Sequence, residues 1–147
     1  MLRMKAAASA LSDFTSGHFQ PVIPDNSVTN ASRVIFCSGR IYYDLLAERK
    51  RLGEESTAII RVEQFYPLPA RELAEEAAKH PRANLLWVQD EPANQGAWPY
   101  IGLHTLEIFD GRTLRRVSRR DTASPATGNH YVHDEEAKAL LMEAFTR

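Results

Sequence analysis

The distribution of hydrophobic and polar positions changes character at Arg33. Before it, small side chains, scattered apolar residues and the prolines Pro21 and Pro24 prevent any helical or strand period from being sustained. Residues 1–31 therefore read as an irregular N-terminal arm with a short helical turn near Lys5 to Ala10. So long a structureless segment is unusual at the start of a self-contained domain, which implies that Met1 stands part-way through a larger architecture.

From Arg33 the pattern is regular. RVIFC (Arg33 to Cys37) is a β-branched and aromatic run that predicts a strand, closed by Ser38 and Gly39. In the following IYYDLLAERKRLG, Ile41 and Leu45, and Tyr42 and Leu46, are spaced i, i+4, and Gly53 supplies a helix stop. TAIIRVEQF (Thr57 to Phe65) predicts a second strand. The prolines of YPLP (Tyr66 to Pro69) end it and launch a helix through Leu73, Ala74, Ala77 and Ala78. NLLWVQ (Asn84 to Gln89) predicts a third strand, PYIGLHTLEIF a helix from Pro99, and LRRVS (Leu114 to Ser118) a weaker strand flanked by arginines, as edge strands often are. The last helix carries the clearest stripe, Ala137, Leu140, Leu141, Ala144 and Phe145, with Asp134, Glu135 and Glu136 complementing the dipole at its start.

Strands alternating with helices at this spacing predict an α/β three-layer sandwich: a mainly parallel sheet with helices on both faces, occupying residues 32–147. No internal repeat interrupts it. At 147 residues the chain is long enough to bury a real core.

Charge narrows the range of partners. Eighteen basic and nineteen acidic side chains nearly cancel, so nothing global points to nucleic acid or an anionic membrane. No apolar run approaches the roughly 20 residues of a membrane span. The single cysteine, Cys37, excludes an intrachain disulfide and a cysteine metal cluster; it fits a reducing compartment and reads as core packing in a strand. The opening MLRMKAAASALSDF lacks the continuous apolar stretch of a secretory signal, and Asp13 argues against a mitochondrial address.

Candidate chemistry is sparse. Ser38 and Gly39 stand at a strand-to-helix turn, where free N–H groups can hold an anion; the plainer reading is that Ser38 caps the helix and Gly39 permits the turn. DEPANQGAW (Asp90 to Trp98) lies at the carboxyl end of the third strand, where α/β sheets place their sites. A polar network, an interface and catalysis all remain open for it. Arg61 and Glu63, two apart, share one face of the second strand and should pair. His130 and His133 form an HxxH on a loop entering the last helix, without an obvious third metal ligand. Arg112, Arg115, Arg116, Arg119 and Arg120 read as a solvated edge by default, or as a site for a phosphate, a CoA tail or an acidic partner.

Six blocks in order, LRMKAAAS (Leu2 to Ser9), DFTSGHFQPVIPD (Asp13 to Asp25), VIFCSGRIYYDL (Val34 to Leu45), IIRVEQFYPLP (Ile59 to Pro69), WVQDEPANQGAW (Trp87 to Trp98) and SRRDTASPATG (Ser118 to Gly128), together resemble the C-terminal, transketolase-like domain of the thiamine-dependent decarboxylating component of 2-oxoglutarate dehydrogenase. The CSG and VEQ blocks favour that branch over transketolase and pyruvate dehydrogenase. EPANQGAWP and SRR resemble the multifunctional actinobacterial type, although SPATG is more widespread and the subtype stays open.

The resemblance implies an enzyme of the tricarboxylic acid cycle that uses thiamine diphosphate and Mg²⁺ to decarboxylate 2-oxoglutarate and passes the succinyl group to a lipoyl-lysine. In that family, earlier domains bind the thiamine and the metal; neither the GDG-type metal segment nor the activating glutamate has a counterpart here. The implied role is structural and dimerising, with no catalytic residue and no metal site in this chain. By matching the family's blocks, Glu91, Asn94, Gln95 and Trp98, then Ser124 and Thr127, and Arg61 with Glu63, are expected at an interface or at the active-site approach. The implied partners are upstream domains, a second copy and the succinyltransferase component, in the cytoplasm or the mitochondrial matrix. Two alternatives stand beside this reading. One is a regulatory module holding CoA or a nucleotide through Ser38, Gly39, Arg115, Arg119 and Arg120. The other is a split subunit that complements a separate N-terminal chain.

Overall fold

The computed structural model describes residues 4–146. The elements, in order, are a 3₁₀ turn (Lys5–Ala7), α1 (Leu11–Thr15), β1 (Val22–Ile23), β2 (Arg33–Cys37), α2 (Ile41–Leu52), β3 (Thr57–Val62), α3 (Ala70–Ala78), β4 (Asn84–Pro92), α4 (Trp98–Ile108), β5 (Leu114–Arg119) and α5 (His130–Phe145). They form one five-stranded sheet in the order β1-β3-β2-β4-β5. All neighbours run parallel except β1, which is antiparallel to β3. This is the α/β sandwich that the sequence pattern predicts.

The two faces follow from the period of two along the strands. Val34 and Phe36 of β2, Ala58, Ile60 and Val62 of β3, and Leu85 and Trp87 of β4 turn to one side, where Leu73 and Ala77 of α3 and Ile101 and Ile108 of α4 cover them. Ile35 and Cys37, Ile59, and Leu86 and Val88 turn to the other, against Ile41 and Leu45 of α2 and Leu140 and Ala144 of α5. Because both faces are covered, the central strands read as near-continuous apolar runs. Each fully buried Leu, Ile or Phe in them contributes about 1.5–3 kcal/mol.

Several boundaries differ from those the sequence predicts. The arm contains β1, whose Val22 and Ile23 pair with Val62 and Arg61. Two residues are too few to show a period, and the side chain that fixes them is Asp25. Its carboxylate accepts from the N–H of Ile59 at 2.9 Å, from the Ser27 N–H at 3.0 Å and from Arg49. β3 ends at Val62 rather than Phe65, because the N–H groups of Glu63 and Gln64 turn to the Pro21 carbonyl. β4 continues past Gln89 to Pro92 through an irregularity between Val88 and Pro92. The last helix starts at His130, one turn before the acidic run, since the Asn129 side chain accepts from the Tyr131 N–H at 2.9 Å. At the end of α2, Gly53 adopts φ 61°, the left-handed stop expected of it.

Two arginines hold carbonyls where helices end, and a third holds one at the start of β3. Arg33, buried at the start of β2, donates to the carbonyls of Ala144 and Thr146. Arg112 donates to those of Ala77, His80 and Ala83 and so ties the end of α3 to the segment before β5. Arg49 donates to the Thr57 carbonyl at 2.9 Å while pairing with Asp25. Bonds of this kind satisfy the carbonyls that a helix end or a loop leaves without a ladder partner.

Candidate functional site

From β2 the chain winds outward to β3, then returns across β2 to build β4 and β5. The switch point therefore lies between β2 and β4, and their carboxyl ends are where a crevice must open. A cavity of about 530 Å³ opens there. Ser38, Gly39, Arg40 and Ile41 line it after β2, Phe65 and Tyr66 after β3, and Trp87, Gln89, Asp90 and Glu91 with Gly96, Ala97 and Tyr100 on the β4 side. Two segments that the sequence treats as separate candidates, Ser38–Gly39 and Asp90 to Trp98, thus face each other across one space.

The β4 wall is organised by Gln89, a residue absent from the sequence candidates. Its side-chain oxygen accepts from Trp87 Nε1 and from the Trp98 N–H, both at 2.9 Å. Its amide nitrogen donates to the carbonyls of Gln95 at 2.7 Å, Pro92 at 3.0 Å and Glu91 at 3.3 Å. The signal was present in the strand, because Leu85, Trp87 and Gln89 alternate on one inward face and a buried amide there must find partners. Gly96 closes the loop with φ 67°; a Cβ at that position would stand 3.0 Å from Glu91 Cβ and 3.1 Å from Gln89 Nε2. The loop's outer side chains reach the 120–128 segment. Asn94 and Gln95 each donate to the Thr122 carbonyl at 3.0 Å, and Gln95 also reaches the Ser124 carbonyl at 3.4 Å.

Behind this wall runs a chain of charges. Arg40 contacts Asp90 at 3.3 Å, and Arg119 contacts the other Asp90 oxygen at 2.9 Å. Arg119 also binds Glu136, which accepts from the Thr127 hydroxyl at 2.7 Å. Burial opposes ionisation of Asp90, but the hydrogen bonds and charges of Arg119 and Arg40 outweigh it and hold the carboxyl below its ordinary value. The Thr127 hydroxyl and then Arg119 lower Glu136 in the same direction. Thr127 therefore belongs to a local clamp, while Ser124 bonds within its own turn, to the Ala126 carbonyl at 2.8 Å.

Elsewhere the outcome differs from expectation. Ser38 makes no cap; the residue before α2 is Arg40, and no side chain caps that helix. Gly39, at φ 71°, does permit the turn. The reading of the arginine run as a solvated edge fails for Arg112 and Arg119, whose guanidinium groups are consumed inside the fold. It holds for Arg115, Arg116 and Arg120, which are exposed. Arg119 and Arg120 line a second cavity of about 360 Å³ with Thr127 and Glu136, one that Ser38 and Gly39 do not line. The five anion candidates therefore do not converge. Arg61 pairs with Glu63 at 3.0 Å as expected, although Glu63 lies just past the strand, and its guanidinium also lies 4.8 Å from the centre of the Tyr42 ring. His130 and His133 sit in the first turn of α5 rather than on a loop. Among the described residues, no group of three or more His, Cys, Asp or Glu is placed to hold a metal ion. Cys37 is fully buried, and burial pushes its thiol pKa upward.

A parallel sheet wound both ways from a switch point, with a cavity at that point, defines a doubly wound α/β domain. More specifically, residues 8–145 match the family model described as 2-oxoglutarate dehydrogenase C-terminal, and the chain belongs to that family. Over its whole length it is 47% identical to the 2-oxoglutarate dehydrogenase E1 component of Cupriavidus necator, and spans 16% of that protein. Over 99% of its length it is 45% identical to the 2-oxoglutarate dehydrogenase E1/E2 component of Corynebacterium glutamicum, spanning 12% of it. A multifunctional 2-oxoglutarate metabolism enzyme of Mycolicibacterium vanbaalenii is 41% identical over 99% of the chain, again with 12% of that protein covered.

Proposed function

We propose that the chain acts as the docking and dimerising domain of a thiamine-dependent decarboxylating component of 2-oxoglutarate dehydrogenase, working on 2-oxoglutarate together with upstream domains, a second copy and a succinyltransferase. The observation that carries this reading is apolar surface without cover. Leu11 and Phe14 of the arm are 79% and 78% exposed, and Leu103 and Leu106 of α4 are 82% and 72% exposed. Surface of that kind is costly in water and marks places where further protein packs. The 90–98 loop, held rigid by Gln89 and tied to Thr122, supplies a preformed contact surface beside it, with Glu91, Asn94, Gln95 and Trp98 at the interface or the active-site approach.

The cavity residues do not fit thiamine diphosphate with Mg²⁺. Of the two carboxylates that line the cavity, Asp90 spends both oxygens on Arg119 and Arg40, which leaves Glu91 alone. Among the described residues, no group of three or more His, Cys, Asp or Glu gathers there to hold a diphosphate-bound Mg²⁺. We therefore assign the cofactor and the metal to parts of the assembly outside this chain, and no proton transfer to any residue within it. The compartment proposed is the cytoplasm, or the mitochondrial matrix in a eukaryote. Among the described residues, no helix is long and apolar enough to cross a membrane.

The test is to supply the upstream domains separately and to follow size by chromatography with light scattering, together with CO₂ release from 2-oxoglutarate. A stable complex that gains decarboxylation, from a chain inactive alone, is expected. Turnover by the chain alone, well above a no-protein control, overturns the reading. Complementation by a separately encoded upstream chain would make this a split subunit.

A second reading has its own observation: the uncapped N-terminus of α2, with Arg40, opens into the cavity. On that reading the domain is a regulatory module for a CoA compound or a nucleotide. Calorimetric titration with acetyl-CoA and with AMP tests it, and no heat from either at millimolar concentration removes it.

A further inference from the structure

The arginines of this domain are unevenly committed. Arg33, Arg40, Arg49, Arg51, Arg61, Arg71, Arg112 and Arg119 each hold a carboxylate or a carbonyl. Among the described residues, the side chains of Arg82, Arg115, Arg116 and Arg120 make no hydrogen bond or ion pair. All but Arg82 lie on β5 or directly after it. The acidic side chains of Glu107, Asp110 and Asp121 are near them along the chain and pair with none of them.

β5 is also an edge. Its one neighbour is β4, and no backbone bond from another described segment meets its outer side. An open edge presents unpaired N–H and C=O groups with the spacing of the next strand. The register places one arginine on each face of this edge. Arg115 stands opposite Leu86, which turns toward α2 and α5, and Arg116 stands opposite Trp87, which turns toward α3 and α4. The Arg116 guanidinium lies 5.7 Å from the centre of the Trp98 ring, consistent with that side. Arg120 extends the cationic strip past the strand end.

We propose that the β5 edge is a strand-addition site for an extended acidic peptide. Its backbone would continue the ladder beyond β5, and adjacent carboxylates, one on each face, would meet Arg115 and Arg116, with a further one at Arg120. Main-chain bonds supply affinity in strand addition, and alternating side chains supply selectivity. Charge complementarity chooses the occupant. A second copy pairing β5 with β5 would bring these cations against their own kind, and like charges directly opposite destabilise a strand pair. Arginines on an edge also deter indiscriminate pairing, so the same side chains both exclude wrong strands and select an acidic one.

The probe is a fluorescein-labelled peptide of valine and threonine with two adjacent glutamates and a third near one end. It is titrated into the full 147-residue chain and followed by anisotropy. Two control peptides carry N-methyl groups on alternate amides or lysines in place of the glutamates. Saturable binding is expected. It should weaken at least tenfold on N-methylation, on lysine replacement and in Arg115→Glu/Arg116→Glu, and should stay within twofold in Lys50→Glu on α2. Circular dichroism of each variant shows that it is folded, and Arg120→Glu provides a milder variant should the double one unfold. No binding at millimolar peptide overturns the proposal, as does binding indifferent to N-methylation, which would be charge attraction without strand addition. A dimer that excludes the peptide would overturn it in favour of a second copy.

Discussion

The Arg119 guanidinium, its side chain 7% exposed, lies between Asp90 at the end of β4 and Glu136 on α5, and also donates to the Asp90 carbonyl at 2.9 Å. One side chain thus holds two elements to the end of β5. Removing a single partner of a buried pair costs about 3–5 kcal/mol, but Asp90 and Glu136 keep partial access to water, which lowers the figure. Arg119→Met should therefore lose about 2 kcal/mol, read as a lower urea midpoint at unchanged slope. A loss under about 0.5 kcal/mol would show that the clamp is ornamental.

Acid should unfold the protein through its depressed carboxyls. Burial opposes ionisation of Asp25, yet bonds from the Ser27 hydroxyl, the Ile59 and Ser27 N–H groups and Arg49 hold it below the ordinary 3.8, and Asp90 is shifted in the same direction. A carboxyl lowered on folding binds protons more readily when the chain is unfolded. Its stabilisation is therefore complete above the ordinary value and is lost as pH falls through the folded one. Melting temperature should be flat from about pH 7 to 5 and fall steeply below about pH 4. Asp25→Asn should be less stable at neutral pH and show a shallower acid slope; an unchanged slope would remove Asp25 from the account.

Gln89 and Gly96 should be intolerant for linked reasons. Gln89→Leu strips partners from the carbonyls of Pro92 and Gln95 and from the Trp87 indole N–H. Buried groups left unpaired cost about 1–3 kcal/mol each, so a loss of about 3 kcal/mol is expected. Gly96→Ala adds a strained φ to a Cβ contact at 3.0 Å and should cost about 1–3 kcal/mol. Hydrogen exchange at the Trp98 N–H should quicken in Gln89→Leu before global unfolding does; equal protection in variant and parent would mean the loop holds without that amide.

Cys37 should be silent to thiol reagents. It has no exposed surface, and burial pushes its pKa upward, which disfavours the reactive thiolate. Labelling by a disulfide reagent at pH 8 should follow the global unfolding rate and accelerate in urea. Rapid labelling of the native chain would mean that the sheet opens locally at β2.

Local pattern carried the elements whose boundaries are enforced nearby. The apolar run at Val34 to Cys37, the proline-started α3 and α4 and the Gly53 stop were legible because each depends on residues within a turn or two of itself. The start of α5 lies one turn before its acidic run, because Asn129 caps the helix ahead of Asp134, Glu135 and Glu136. β1 was illegible for a different reason. Val22 and Ile23 become a strand by pairing with Val62 and Arg61, and Asp25 adds bonds to Ile59 and Arg49, all from distant parts of the chain.

The sequence by itself determined the α/β class, the covered faces of the sheet and, through six matching blocks, the family. Those properties rest on periodicity and residue order, which one dimension preserves. Only the tertiary structure decided that Ser38–Gly39 and the 90–98 loop share a cavity, since that follows from strand order at the switch point. It alone separated Arg112 and Arg119, spent on internal carbonyls and carboxylates, from Arg115, Arg116 and Arg120, left in water. The five side chains are chemically identical, and what each one does is set by the partners that folding brings within reach.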